Sequence, residues 1–300
     1  MKIFDRTLIY FLLASAVAAS SIEAQDTMVV KPGQKVILVT GSTDGLGREV
    51  ARRLASGGAH VIVHGRNAGR GSALVREIEA EGRGSARFYA ADFAALDEVR
   101  ALATSVLSDY PRLDVLVNNA GIWLNRSERQ TNAAGHELHF AVNYLAGYVL
   151  THMLLPRLRE SPDGRVINVA SAAQQPIDFD DVMMTRSHSG GRAYAQSKLA
   201  QVMMTFDLAE QLADTGVIVA ALHPATLMDT PMVRESGVAA RSTVDEGADA
   251  VMQLVQAGNI VSGAYYDGMR PARAHAQAYD TAARTRLRTL TAALTDASHR

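Results

Sequence analysis

The 300-residue chain has no cysteine. That excludes disulfides, a thiol nucleophile and thiolate metal sites, and it decides nothing about compartment. Net charge is also nearly absent: 30 Lys and Arg against 31 Asp and Glu leave −1. A nucleic-acid partner, which must be held by phosphate neutralisation, finds no support in that balance. No metal site is suggested, and there is no internal repeat beyond the alternation described below. No apolar run is comfortably long enough to span a membrane. The nearest, residues 8–19, follows Lys2 and Arg6, and Ala16-Val17-Ala18 and Ala24 are small-residue cleavage candidates. This is the layout of a secretory signal peptide, with a start at Met28 as the alternative. The remainder, in a chain that is 48% apolar and 20% charged, has the composition of a folded body long enough for one large α/β domain.

What is present is organised around residues 36–47, V-I-L-V-T-G-S-T-D-G-L-G. An apolar run with β-branched members reads as a buried parallel strand. It enters a turn carrying Gly41, Gly45 and Gly47, and residues 48–56 continue as a helix with Leu46, Val50 and Leu54 on one face. Strand, glycine turn and helix can hold a dinucleotide pyrophosphate on backbone N–H groups. A plain tight βα turn would use the same glycines.

Further strands are predicted over residues 59–64, 86–91, 114–118, 164–170, 217–222 and 263–266, and helices over 73–81, 96–107, 137–158, 193–212 and 244–257. This alternation implies an α/β fold: one Rossmann-like, doubly wound parallel sheet of about seven strands with helices on both faces. The chain then divides into a signal-like or membrane-proximal segment, 1–27, a Rossmann-fold catalytic domain, 28–270, and a C-terminal helical tail on its surface, 271–300. Residues 171–191 form a long irregular stretch, which usually means a function or a lid.

Polar groups collect where an open α/β sheet binds ligands, beyond strand C-terminal ends. They are Asn118-Asn119-Ala120-Gly121, Ser171 and His223-Pro224. Tyr194 and Lys198 are four apart on one predicted helix and so share a face. A tyrosine, ordinarily near pKa 10, needs help to exchange protons near neutrality, and a cation one turn away favours tyrosinate. Alone, the pair could equally be a phenol and an ammonium on a solvated face. Alone, Asn143 could be an ordinary helix residue and Ser171 a turn residue.

Taken together, these residues resemble the short-chain dehydrogenase/reductase family over residues 35–266, closest to its retinol-dehydrogenase-like branch. T-G-S-T-D-G-L-G at 40–47 matches T-G-x-x-x-G-x-G, N-N-A-G at 118–121 matches unchanged, and Y-A-Q-S-K at 194–198 matches Y-x-x-x-K. V-N-Y at 142–144 and R-V-I-N-V-A-S at 165–171 place the family's asparagine at Asn143 and its serine at Ser171. The resemblance implies a nicotinamide-dependent oxidoreductase. Tyr194 would be general acid in reduction and general base in oxidation, and Lys198 would lower its pKa and bind the ribose. Ser171 would orient the reacting oxygen, and Asn143 would hold a relay water. The cofactor site it implies comprises Gly41, Ser42, Thr43, Asp44, Gly45, Leu46, Gly47, Arg66, Asp92, Phe93, Asn119, Ala120, Gly121, Tyr194, Lys198, Pro224 and Thr226. No metal is required.

Cofactor choice turns on His64-Gly65-Arg66-Asn67, after the second strand, where an NAD site usually has a carboxylate. Arg66 there favours a 2′-phosphate, hence NADP(H); Asp44 in the glycine loop argues the other way and keeps NAD(H) open. Asp92 would contact adenine by family analogy, or cap the following helix. Two departures stand out: Ala225 replaces a common glycine after Pro224, which leaves Thr226 or Thr230 as the residue facing the cofactor, and Ser171 and Tyr194 lie farther apart than in the commonest members. The resulting insert, with Pro176, Ile177, Phe179, Val182, Met183 and Met184, joins Trp123, Leu124, Leu227, Met228 and Met232 as walls of an apolar pocket. The expected substrate is an apolar alcohol, aldehyde or ketone. A non-catalytic dinucleotide-binding protein, which would have lost Ser171, Tyr194 or Lys198, is the rival class. Family habit suggests a homodimer or homotetramer built on the helices from Glu137 and Ala193. The destination is cytoplasmic or membrane-anchored, or exported if the N-terminal segment works as a signal.

Overall fold

The structure, a computed structural model, describes residues 30–124 and 126–296. The signal-like segment lies outside the described residues. Among the described residues, no helix is long and apolar enough to cross a membrane.

Among the described residues, eight strands form one sheet in the order β3-β2-β1-β4-β5-β6-β7-β8. They are β1 (Val36–Val39), β2 (His60–Gly65), β3 (Ser85–Ala90), β4 (Val115–Asn118), β5 (Arg165–Val169), β6 (Ile218–His223), β7 (Ala264–Asp267) and β8 (Arg270–Ala272). The first seven are parallel, and every residue of β1, β2, β4 and β5 is buried. Burial on both faces is why these strands are rich in Val, Ile and Leu rather than alternating apolar with polar. The order reverses between β1 and β4, and the crevice beyond their C-terminal ends is where such sheets bind ligands.

The expected seven strands become eight because the chain turns at Gly268 (φ +56) and pairs antiparallel, Tyr265 opposite Ala272. β8 begins the stretch expected to be helical tail. Pro271 in so short a strand blunts the sheet edge.

Helices α1 (Gly45–Ser56), α2 (Ala68–Glu81) and α7 (Val244–Gln256) cover one face. On the other lie α3 (Leu96–Asp109), α4 (Ala146–Arg159) and α5 (Gly190–Gln211). A short helix, α6 (Pro231–Glu235), interrupts the loop after β6. The helix expected from Glu137 onward opens instead with a π-helical turn, Phe140–Leu145, before α4. Such turns concentrate at functional sites, and this one contains Asn143.

The tail is a 3-10 turn (Ala276–Tyr279) followed by α8 (Thr281–Asp296). Its helix was expected on the surface, and one side of it is instead docked. Ala283 and Leu287 are buried in the core cluster shared with α4 and α5, Tyr144 Oη and Thr291 Oγ1 lie 2.8 Å apart, and Arg288 reaches Asp207 at 2.6 Å. Between the sheet, α4 and this tail, α5 is enclosed: from Ala193 to Ala209 only Tyr194 and Asp207 are even half-buried, and the rest are buried. The helices expected to form a subunit interface thus already carry α8.

Candidate active site

The glycine loop is shaped by contacts that only glycine permits. Gly41 has φ +64, and a Cβ there would meet Ala120 Cα at 2.8 Å. A Cβ on Gly47 would strike Gly41 O and Asn119 Nδ2. Asn119 explains the tight fit: its Nδ2 donates to Thr40 O at 2.8 Å and Gly41 O at 3.2 Å. The Thr40 hydroxyl accepts from Asn119 N at 3.0 Å and Ala120 N at 2.9 Å. Asn119 therefore holds the loop with its side chain, while Gly45 and Leu46 put the N-terminus of α1 at the loop's end with Asp44 at the cap position.

Two residues expected at the cofactor are turned inward. Ser42 is fully buried; its N–H donates to His64 O at 2.9 Å, and its hydroxyl accepts from His64 N at 2.9 Å. Phe93 is buried with its ring stacked on His64, 4.3 Å between centroids. His64 is the residue that sequence reading missed. Burial brings its pKa down to about 4, so it is neutral near pH 7; Nε2–H donates to Ala91 O at 3.1 Å and Nδ1 accepts from Gly41 N at 3.1 Å. Its flanking polar residues gave no sign of a role in holding the loop.

The end of β2 opens onto charge. Arg66 is exposed, and its Nη1 lies 3.8 Å from Asp92 Oδ2, a loose pair. Asp92 Oδ1 also accepts from Ala94 N at 3.0 Å, a local turn before α3. Asp44, the residue that argued against a 2′-phosphate, is paired with Arg70 at 2.7 Å. Thr43 packs its side chain against Gly65.

The four expected catalytic residues converge from three elements. Ser171 follows β5, Tyr194 and Lys198 lie on α5, and Asn143 lies on the π turn. Lys198 is buried with its Nζ donating to Val169 O at 2.9 Å and lying 5.7 Å from the Tyr194 ring centroid. Burial pulls its pKa down to about 7. Burial pushes the Tyr194 phenol up, and a hydrogen bond with Ser171 pulls it partly back. Asn143 Oδ1 accepts from Ile122 N at 2.7 Å, and its Nδ2 donates to Ser197 Oγ at 3.0 Å; Ser197 Oγ donates to Tyr194 O at 2.7 Å. Ser197, inside the Tyr-to-Lys motif but read only as spacing, joins the π turn to the Tyr194 backbone. A Cβ built on Gly121 would lie 3.3 Å from Asn143 Oδ1 and 3.4 Å from Lys198 Nζ, so the N-N-A-G turn reaches the same point.

Trp123 faces Tyr194 with 5.9 Å between rings. Its segment is held by His139, whose Nε2 accepts from Leu124 N at 2.9 Å while Nδ1–H faces Glu137 Oε1 at 2.7 Å. Glu137, His139 and His188 bring three ligand-type atoms close together. The backbone N–H on Nε2 fixes the His139 proton on Nδ1, however, so that atom is a donor to Glu137 rather than a metal ligand. After β6, Pro224 is buried, whereas the exposed Thr226 pairs its hydroxyl with His223 Nε2 at 2.9 Å. Thr230 is the threonine beside the glycine loop, its Cγ2 3.2 Å from where a Gly45 Cβ would stand. The insert is irregular only over residues 172–189, since α5 begins at Gly190, yet Ile177, Val182 and Met184 are buried.

The short chain dehydrogenase family matches residues 35–241. Retinol dehydrogenase 12 of Bos taurus is 38% identical over 205 residues, 67% of this chain and 64% of the bovine protein, so the match spans just under two thirds of that relative's length. Retinol dehydrogenase 11 of Homo sapiens is 34% identical over 228 residues, 75% of this chain and 68% of the human protein. A metagenomic short-chain oxidoreductase, solved in complex with NADP, shares 30% identity and superposes with a TM-score of 0.62 over 80% of this chain and 98% of its own.

Proposed function

Because the chain belongs to the short-chain dehydrogenase family, in its retinol-dehydrogenase-like branch, we propose that it is an oxidoreductase that passes a hydride between NADP(H) and the carbonyl or alcohol carbon of an apolar small molecule. The observation that carries this reading is the meeting of Tyr194, Ser171 and Lys198 beside the N-N-A-G turn, whose Ala120 packs on Gly41 of the glycine loop.

The residues suit a dinucleotide. Gly41 packed against Ala120, and Gly47 packed against Gly41 O and Asn119, hold the loop tight at the N-terminus of α1, whose backbone N–H groups and positive dipole end suit a pyrophosphate. The cofactor, when bound, supplies the hydride. Everything else falls to the chain. Tyr194 gives its phenolic proton to the carbonyl oxygen in reduction and takes it from the alcohol in oxidation. Ser171 holds that oxygen. Lys198, as a cation, stabilises the tyrosinate, and Asn143 holds the local backbone and a route for the proton to solvent. Trp123 and the insert keep bulk water from the reacting carbon.

For the 2′-phosphate, Arg66 is exposed and only loosely engaged by Asp92, so its guanidinium is free to take a bidentate partner. Arg70 balances the Asp44 charge that would otherwise repel a phosphate. The relative solved with NADP is consistent with this preference. The test is a paired fluorescence titration with NADPH and NADH, followed by a panel of apolar and small charged carbonyls. Tighter NADPH binding with turnover of apolar carbonyls is expected. Preference for NADH would reverse the cofactor assignment, and turnover of charged carbonyls alone would refute the substrate class.

A further inference from the structure

The insert between Ser171 and α5 has no regular structure, and part of it is held by hydrogen bonds from the far end of the chain. Ile177 is the centre of this. Its backbone N–H donates to Gln277 Oε1 at 2.7 Å, and its carbonyl accepts from Gln277 Nε2 at 3.2 Å. One side-chain amide thus pairs with both backbone groups of one residue, as a neighbouring strand would. Two residues earlier, His275 N donates to Gln174 Oε1 at 2.9 Å. Gln174 Nε2 in turn donates to Ser171 O at 2.8 Å, where Tyr265 Oη donates as well, at 3.1 Å.

The tail grips the insert farther out too. Arg286 of α8 pairs with Asp180 at 2.6 Å and lies 5.0 Å from the Phe179 ring centroid. The tail itself is fixed by Arg284 to Glu210 at 2.5 Å and Arg288 to Asp207 at 2.6 Å, both on α5. The insert is therefore clamped between α5, which carries Tyr194, and a C-terminal strap. Met184, a non-glycine residue at φ +51, is part of the shape so held.

We propose that Gln277 is a positioning residue that sets the substrate-side wall, by holding Ile177 and, through the strap, the Gln174–Ser171 contact. It touches neither substrate nor cofactor. It decides how well a bulky apolar substrate is accommodated, because the wall it fixes carries Ile177, Phe179, Val182 and Met183. This inference rests on the oxidoreductase reading above.

The test compares the full chain with Gln277→Leu, which keeps the side chain's bulk and removes both hydrogen bonds, and with Gln277→Glu, which keeps the acceptor for Ile177 N–H. Measured are kcat and KM with NADPH for a series of aliphatic aldehydes of increasing length, NADPH affinity, and amide hydrogen exchange at Ile177. Losing one to two hydrogen bonds should raise KM for the longest aldehydes about tenfold, leave the shortest nearly unchanged, and leave NADPH affinity intact. Gln277→Glu should fall between the parent and Gln277→Leu, and exchange at Ile177 should quicken in Gln277→Leu. Equal KM losses at every chain length, a parallel loss of NADPH affinity, or unchanged exchange at Ile177 would overturn the proposal. A parent protein that binds NADPH but reduces no aldehyde would refute the substrate class alone, and the Ile177 exchange would still decide the strap.

Discussion

Arg70 holds Asp44 of the glycine loop, Nη1 to Oδ2 at 2.7 Å. Asp44 on its own would disfavour a 2′-phosphate. Paired with a cation from the first turn of α2, it is a neutral rim. The pair is solvent-exposed and adds little to stability, about 0–1 kcal/mol. Its consequence lies in cofactor choice. Arg70→Ala should raise KM for NADPH by up to about fivefold, in keeping with a charge pair of that size, and change KM for NADH little. Asp44→Ala added to Arg70→Ala should recover most of the loss. Steady-state kinetics with both cofactors checks this.

On the proposed mechanism, Tyr194→Phe removes the proton donor of the reduction. Activity should fall about 10²- to 10⁴-fold, the usual worth of a positioned acid or base. NADPH affinity should persist, since the glycine loop is built by Thr40, Asn119 and His64. Single-turnover absorbance at the nicotinamide band separates the two effects.

Lys198 gives a pH signature. Its pKa falls from an ordinary 10.5 to about 7 on burial. Between those values the unfolded chain binds the proton that the folded one has lost, so folding stability of the cofactor-free protein rises with pH across that window. Below about pH 7 the buried charge is present and its cost is fully felt. Lys198→Met should therefore be more stable than the parent at pH 6, with the gap closing towards pH 10, while its activity is lost. Thermal melts of both proteins at several pH values test the sign.

Asn119→Ala leaves the backbone oxygens of Thr40 and Gly41 without their donor. A cost of about 1–3 kcal/mol follows for unsatisfied buried acceptors. The melting point should drop and NADPH affinity should weaken together, because the same bonds shape the loop. Loss of stability with unchanged affinity would mean that the loop keeps its form without Asn119.

The sheet was legible because β1, β2, β4 and β5 are buried on both faces and spell their burial in Val, Ile and Leu. The convergence of Asn143, Ser171, Tyr194 and Lys198 was legible because motif spacing survives translation into geometry: Tyr194 and Lys198 are one helical turn apart wherever that helix sits. What could not be read is direction. Ser42 and Phe93 stand in the right places in the chain, and their side chains point into the protein because His64 receives them there. The π turn at Asn143 carries no local marker, since Phe140–Leu145 would suit an ordinary α-helix equally well. Arg70 was invisible as a partner of Asp44 because the two are brought together only when β2 and the glycine loop pack side by side.

The enclosure of α5 bears on assembly. Between Ala193 and Ala209 nearly every residue of α5 is buried within one polypeptide, and α8 covers one side of it. The side that α8 turns outward is small and polar, with Ala282, Thr285, Arg286, Thr289 and Ala293 exposed. Along residues 193–209, one side of α5 is thus already covered from within the chain. In this sense the C-terminus is the chain's own second subunit, covalently supplied and present at a concentration no free partner can match.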